Sequence, residues 1–298
     1  MKIVIITGLT ASGKSGLALK LAKQFNGEII SADSVQVYKG LDIGSAKESK
    51  DTMSLISHHL IDIKEFDETY NVGNFLNDCK IAIDKIISKG KLPIIVGGTG
   101  LYIKALIEGY DLGSVSSNLE FRKKYEDLAL EKGNMYVWEQ LNKINPEKAK
   151  TVHHNNLKRV IRYLELELNK NKPKQMINIL EGFEVISIGL VEDREIIYNK
   201  IEQRVDIMLK QGLLDEVKTL IDKGANRLTQ STNSIGYKEW FDYFDGVLDY
   251  ETTVNLIKQH TRNYCKRQLT FLKTISSLKL MKYAEAKKYL GDKLNDKN

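Results

Sequence analysis

Two rhythms of apolar residues alternate over the first hundred positions of the chain. Residues 3–6, Ile-Val-Ile-Ile, form a continuous β-branched run, the pattern of a strand buried on both faces. A polar, glycine-bounded stretch from Gly8 to Gly13 follows. Leu17, Ala18, Leu21, Ala22 and Phe25 then recur at helical spacing, and Gly27 ends that helix. Glu28-Ile29-Ile30-Ser31 predicts a second short strand. Phe75, Cys79, Ala82, Ile83 and Ile86 predict an amphipathic helix closed by Gly90. Pro93 starts another buried strand, Ile94-Ile95-Val96, which ends at Gly97-Gly98-Thr99. Strands alternating with helices imply a parallel sheet covered on both faces.

The rhythm changes after about Tyr110. Residues 111–119 are polar, carry Gly, Ser and Asn, and predict a boundary. From there to Leu180 only helical periodicities occur, with Asn145-Pro146 as an N-cap followed by Pro at the first helical position. A further helix is expected over residues 157–168. Residues 183–188 return to a strand pattern. Helical faces follow at Ile197, Ile201, Val205 and Met208, and at Leu213, Val217 and Leu220, and a last long helix is expected over 252–275. The expected fold is α/β: a P-loop NTPase-like parallel sheet core, residues 1–110 and 183–298, interrupted by an all-helical insertion at 111–182.

Composition narrows the function classes. The chain has 298 residues, 42% of them hydrophobic, enough for a substantial core. Its two cysteines cannot staple a fold of this length. No apolar stretch approaches the roughly 20 residues of a membrane-spanning helix, so no membrane association and a cytoplasmic location are expected. The 45 basic and 39 acidic side chains leave a net charge of +6, which permits a polyanionic partner without establishing one. The C-terminal tail is lysine-rich. No exposed apolar seam is evident, so a monomer is expected.

Gly8-Leu9-Thr10-Ala11-Ser12-Gly13-Lys14-Ser15 matches the phosphate-loop pattern, between a buried strand and a helix as its mechanism requires. Glycines let backbone N–H groups curl towards phosphate oxygens, the helix N-terminus adds partial positive charge, Lys14 adds a full one, and the Ser15 hydroxyl is a ligand for Mg²⁺. The loop specifies phosphate, not a reaction. A P-loop ATPase usually holds its Mg²⁺ with an Asp on a second buried strand. Here that strand ends Gly97-Gly98-Thr99, so the parts of a small-molecule kinase are incomplete.

The segment from Asp33 through Lys47, Asp-Ser-Val-Gln-Val-Tyr-Lys-Gly-Leu-Asp-Ile-Gly-Ser-Ala-Lys, closely resembles the signature of the tRNA dimethylallyltransferases, or tRNA isopentenyltransferases. The P-loop is similar to that family's version. So are Ser57-His58-His59-Leu60-Ile61-Asp62 with Tyr70, Gly97-Gly98-Thr99-Gly100-Leu101-Tyr102, Ile235-Gly236-Tyr237-Lys238-Glu239 and Lys266-Arg267-Gln268-Leu269-Thr270. The resemblance runs from the N-terminus to about residue 273. It implies transfer of a dimethylallyl group from dimethylallyl diphosphate to N6 of the adenosine 3′ of the anticodon, tRNA position 37, in tRNAs reading codons that begin with U. It also implies Mg²⁺ assistance, and a phosphate loop that holds a prenyl diphosphate.

The resemblance further assigns roles. Asp33 is the base that accepts the N6 proton, although an Asp just after a strand also suits a turn or helix cap. Thr99 helps place the amine or the donor, and is equally suited to an N-cap. Lys14, the loop amides and an arginine, here expected to be Arg194, stabilise the departing diphosphate. Contacts to tRNA are expected from Asp33, Ser34, Val35, Gln36 and Thr99, from Arg122, Lys158, Arg159 and Arg162 in the insertion, and from Gly236, Tyr237, Lys238, Lys266, Arg267, Gln268, Thr270 and Lys273. Single-stranded loops are read by stacking and by cations on phosphates. By spacing alone, the stripe Lys258, Arg262, Lys266 on the last helix describes a solvated face.

The chain departs from the family at Phe271-Leu272-Lys273, usually Trp-Phe-Arg, at His153-His154-Asn155-Asn156, and at Ser231-Thr232-Asn233-Ser234. These bear on RNA contacts and not on Asp33, Lys14 or Thr99. No Cys or further His stands at ligand spacing from His58-His59, so a structural role is expected there, as for Cys79 on its apolar helix face. A non-catalytic RNA-binding protein is the rival from another class; it would need basic helices but not Lys14 together with Asp33.

Overall fold

The computed structural model describes residues 1–111, 118–169 and 176–296. Most of the expected boundary at 111–119, the periodicity across 170–175 and the last two residues of the tail lie outside them. The strands are β1 (Lys2–Gly8), β2 (Gly27–Ser31), β3 (His58–His59), β4 (Leu92–Val96), β5 (Tyr110–Asp111), β6 (Met176–Ile177), β7 (Glu184–Leu190) and β8 (Lys279–Met281). The helices are α1 (Lys14–Gln24), α2 (Lys50–Leu55), α3 (Val72–Ser88), α4 (Gly100–Glu108), α5 (Leu119–Lys132), α6 (Asn134–Ile144), α7 (Pro146–Lys150), α8 (Leu157–Leu168), α9 (Arg194–Lys210), α10 (Leu213–Asp222), α11 (Trp240–Phe244), α12 (Tyr250–Leu272) and α13 (Tyr283–Asn295). They divide into two compact units, Met1–Glu108 with Ile179–Asn298, and Gly109–Asn178.

The larger unit is built on a parallel sheet of order β3-β2-β4-β1-β7-β8. β1 is thus interior, between β4 and β7. Ile3, Val4, Ile5 and Ile6 are wholly buried, as a strand covered on both faces requires. One face packs Leu17 and Leu21 of α1 with Ile94, Ile188 and Leu290, and each such side chain contributes roughly 1.5–3 kcal/mol. Cys79 is buried on α3. Beside β3, the buried Glu28 carboxylate receives His59 Nε2 at 2.8 Å, Lys89 Nζ at 3.0 Å and Lys91 Nζ at 2.8 Å. Burial alone would raise its pKa, but those donors outweigh it and hold the carboxyl at about 2.

The chain's end differs from the expected lysine-rich tail. Residues 279–281 add β8 to the sheet, and α13 buries Ala286 and Leu290. Three residues are too few to show a strand's alternation, and the lysines of α13 mask its narrow apolar stripe. Tyr283 brings its ring against the phosphate loop, where a Cβ on Gly13 would meet it at 3.2 Å.

The smaller unit packs α5, α6, α7 and α8 around Val137, Leu141, Val160, Ile161 and Leu164. Trp138 Nε1 donates to the carbonyls of Ala149 and Val152 at 3.1 and 2.9 Å. To the expected helices the structure adds one antiparallel pair, β5 with β6, two residues each and below what periodicity resolves. Glu165 is buried on α8 and accepts Arg122 at 2.8 Å, Arg162 at 2.6 Å and the Asn118 amide at 2.7 Å.

Candidate active site

Parallel strands finish at one edge of a sheet, and ligands collect where their loops diverge. Here β2, β4 and β1 are neighbours, and each ends in a motif segment: Ala32-Asp33-Ser34, Gly97-Gly98-Thr99 and the phosphate loop. The loops lie close. A Cβ on Gly97 would stand 2.1 Å from the Ala32 carbonyl oxygen, so only glycine fits there. They line a cleft of about 740 Å³, walled opposite by α9, α12, residues 44–48 and residues 233–238.

The phosphate loop holds both paired and unpaired donors. Leu9 N–H bonds Leu190 O, Ser12 N–H bonds Leu9 O, and Thr10 N–H bonds Gln268 Oε1. The N–H groups of Ala11, Gly13, Lys14 and Ser15 find no acceptor among the described residues. The buried Ser12 hydroxyl has no partner either. Lys14 Nζ rests on the carbonyls of Gly8 (3.2 Å) and Leu9 (2.7 Å). Burial, and then Arg204 nearby, pull its pKa down to about 8 against the opposing pull of Asp33. Unpaid donors and a reluctant cation describe an anion site.

Arg204 supplies the second cation. It projects from α9 into the cleft, 3.5 Å from the Thr10 hydroxyl, and its pKa is lowered by burial despite Asp33 and Glu48. Arg194, expected in this role, is exposed at the start of α9 with its guanidinium over Tyr198 at 5.2 Å, and is not among the cleft residues. Ten residues along one helix separate the two, so a motif position near a helix start does not fix which arginine faces inward.

Asp33 closes a local turn. Its Oδ1 accepts the amides of Val35 (2.9 Å) and Gln36 (3.4 Å), which leaves Oδ2 without a bond from the described residues. Thr99 Oγ1 accepts the Ser34 amide at 3.0 Å and donates to the Ser34 hydroxyl at 3.2 Å, tying the β2 loop to the β4 loop. Tyr264 donates to Gly98 O at 3.2 Å. Burial, and then Asp33, push its phenol up to about 12.

The remaining expected contacts divide. Ser34, Val35, Gly236, Lys238 and Arg267 line the cleft, and Lys266, Thr270 and Lys273 are exposed on or just beyond α12. Gln36 lines it too, but Ser31 donates to its Oε1, and its Nε2 reaches the carbonyls of Ser45 and Ala46. Tyr237 is wholly buried and donates to Glu216, whose carboxylate also accepts the amides of Asp42, Ile43 and Gly44. Along α12, Lys258 pairs with Asp206 and Arg262 with Glu202, so the first half of the basic stripe is committed to α9. In the smaller unit Lys158 and Arg159 are exposed, and Arg122 and Arg162 meet on Glu165.

Sequence reasoning missed Arg204, Glu216 and Tyr264. Arg204 had a signal: an arginine between Ile201, Val205 and Met208, on a face otherwise apolar. Glu216 had none, because nothing local announces that an acid will cap a loop 170 residues away. His58 and His59 bond the Ile56 carbonyl and Glu28. No group of His, Cys, Asp or Glu among the described residues has metal-holding geometry, and none of the described helices is long and apolar enough to cross a membrane.

A family model described as IPP transferase matches residues 36–275. A tRNA dimethylallyltransferase of Thermoanaerobacter sp. (strain X514) is 43% identical, with 99% of both chains covered. One of Bacillus anthracis is 44% identical over 91% of this chain and 88% of its own. The crystal structure of the full-length tRNA isopentenylpyrophosphate transferase from Bacillus halodurans superposes with a TM-score of 0.73 at 38% identity, covering 99% of this chain and 97% of that one. A eukaryotic dimethylallyltransferase acting on tRNA superposes with a TM-score of 0.74 at 29% identity, over 91% and 69% of the two chains. The chain belongs to the IPP transferase family, whose curated relatives here are tRNA dimethylallyltransferases.

Proposed function

We propose that the protein transfers the dimethylallyl group of dimethylallyl diphosphate to N6 of adenosine 37 in tRNAs reading codons that begin with U. The observation that carries this reading is one cleft holding both a free carboxylate oxygen, Asp33 Oδ2, and an anion site made by Lys14, Arg204 and unpaired loop amides. The aromatic amine is a weak nucleophile and the diphosphate must leave, so each half of the cleft serves one half of the reaction.

The N6–C1 bond forms as the C1–O bond to diphosphate breaks. Asp33 Oδ2 accepts the N6 proton, while Oδ1 stays held by the two turn amides. Charge that gathers on the diphosphate is met by Lys14, Arg204, the Ser12 hydroxyl and the amides of Ala11, Gly13, Lys14 and Ser15. Thr99 fixes Ser34, and through it the loop that carries Asp33. The Ser15 hydroxyl lines the cleft and is an oxygen donor, which suits Mg²⁺, an ion that takes few protein ligands and keeps water and phosphate oxygens. Ser15 would hold it, and bound there it would neutralise diphosphate charge.

For the tRNA, Lys238, Lys266, Arg267 and Lys273 form a cationic approach to the cleft, Thr270 adds a hydroxyl, and the insertion at 111–182 adds Lys158, Arg159 and the Arg122–Arg162 pair. Phosphate contacts by exposed cations carry affinity that falls with salt. The enzyme acts as a cytoplasmic monomer. The test is nucleoside mass spectrometry of tRNA incubated with the protein, Mg²⁺ and dimethylallyl diphosphate, beside an ATP-only control. N6-dimethylallyladenosine with the prenyl donor alone supports the reading. Phosphate transfer from ATP without it would replace the reading with the kinase, and tRNA binding with no reaction would replace it with the RNA-binding protein.

A further inference from the structure

Gln268 belongs to the motif segment of α12 expected to touch tRNA, yet the side chain points the other way. It is buried, and both ends of its amide are spent on the donor half of the cleft. Its Oε1 accepts the Thr10 N–H of the phosphate loop at 2.8 Å, and its Nε2 donates to Gly98 O of the β4 loop at 3.0 Å. The fit at Gly98 is close: a Cβ there would stand 2.9 Å from Nε2. One turn earlier on the same face, Tyr264 donates to the same carbonyl at 3.2 Å. Its neighbours Lys266 and Arg267 are exposed, and Lys266 lies outside the cleft lining, so this one motif segment contains both buried and exposed positions.

The geometry points to Gln268 as a positioning residue for the donor site. One planar amide, donor at one end and acceptor at the other, sets the spacing between the loop that holds diphosphate and the loop that carries Thr99. Gln is the side chain suited to this task, because an acid cannot donate to Gly98 and a hydrocarbon can do neither. Misplacement of a reacting group by about 1 Å costs on the order of 10²-fold in rate. This inference rests on the proposed reaction for its substrate, but not for its geometry.

Gln268→Met and Gln268→Glu test it in the full-length protein. Three quantities are measured for each: inorganic pyrophosphate binding with Mg²⁺ by calorimetry, kcat and KM for dimethylallyl diphosphate at saturating tRNA, and the tRNA Kd. Gln268→Met is expected to weaken pyrophosphate binding and lower kcat/KM for the donor by about 10- to 100-fold, with the tRNA Kd within about twofold of wild type. Gln268→Glu keeps the acceptor for Thr10, adds a negative charge and loses the Gly98 bond. It is expected to impair the donor side again, and it supplies the test if the methionine variant does not fold. A raised tRNA Kd with unchanged donor parameters, or no change in either, overturns the assignment. Wild-type protein that binds pyrophosphate but transfers no prenyl group would refute the reaction, and the pyrophosphate arm would still decide the role of Gln268.

Discussion

The lowered pKa of Lys14 makes donor binding pH-dependent in a definite direction. In the free enzyme the ammonium titrates at about 8, because burial and Arg204 outweigh Asp33. A bound diphosphate places negative charge beside it and restores the pKa towards or above its ordinary 10.5. Below pH 8 both states are protonated and the affinity is flat. Above it, the free enzyme loses a proton that the complex keeps, so the Kd climbs by about tenfold per pH unit. At pH 9 roughly a tenth of the free enzyme still carries the charge, and binding takes up about 0.9 proton. Two further groups of the site stay out of this window. The donor's terminal phosphate ionises near pH ~6, and Tyr264 has been pushed up to about 12. The assay is calorimetric titration with dimethylallyl diphosphate and Mg²⁺, without tRNA, from pH 7 to 9.5 in buffers of different ionisation heat. Lys14→Arg, with a charge that does not titrate, should abolish the slope. A flat wild-type profile, or an unchanged slope in that variant, would refute the account of the cleft's electrostatics.

Asp33→Asn keeps the turn through Oδ1 but removes the proton acceptor; kcat should fall about 10²- to 10⁴-fold, with the tRNA Kd nearly unchanged in a filter-binding assay. Arg204→Lys preserves charge but not the planar fork, so steady-state kinetics should show kcat/KM for the donor reduced by about tenfold or more, whereas Arg194→Lys should leave it within about twofold. Glu28 has a folded pKa of about 2 against an ordinary 4.5. Its stabilisation, on the order of 3 kcal/mol, is present above pH 4.5 and is lost as pH falls towards 2. Urea unfolding of Glu28→Gln should show that loss already at pH 7 and a flatter acid limb.

The sheet was legible because its strands obey one rule. Ile3 to Ile6 and Ile94 to Val96 are buried on both faces, and burial of that kind writes itself as an unbroken β-branched run. The phosphate loop was legible because its chemistry is local: eight consecutive residues make the whole anion site except Arg204. Roles for Asp33 and Thr99 come only through resemblance, since an acid after a strand has several uses, and what the structure adds is their place at the cleft. What escaped the sequence was pairing at a distance. Gln268, Gln36 and Tyr237 read as RNA contacts from their motifs, but their polar atoms meet Thr10, Ser45 and Glu216. The choice of Arg204 over Arg194 rests on helical phase against α12. A motif shows which residues act together and does not distinguish touching a substrate from holding the residue that does.

The position of β1 has a temporal consequence. Residues 2–8 are made before the strands they pair with, for their strand lies between β4 and β7, and the loop that follows is backed by Gln268 and Tyr283. The nascent phosphate loop must therefore wait for nearly the whole chain before the last of its neighbours exist. The helices of the smaller unit can close on one another long before that. While the smaller unit is being made, β1 can pair with β4 but its other edge waits for β7, an interval in which one side of the Ile-Val-Ile-Ile strand is open to aggregation. Truncations that remove only α13 take Leu290 from the core and Tyr283 from behind the phosphate loop, and should lower the yield of folded protein, although no residue they delete belongs to the motifs.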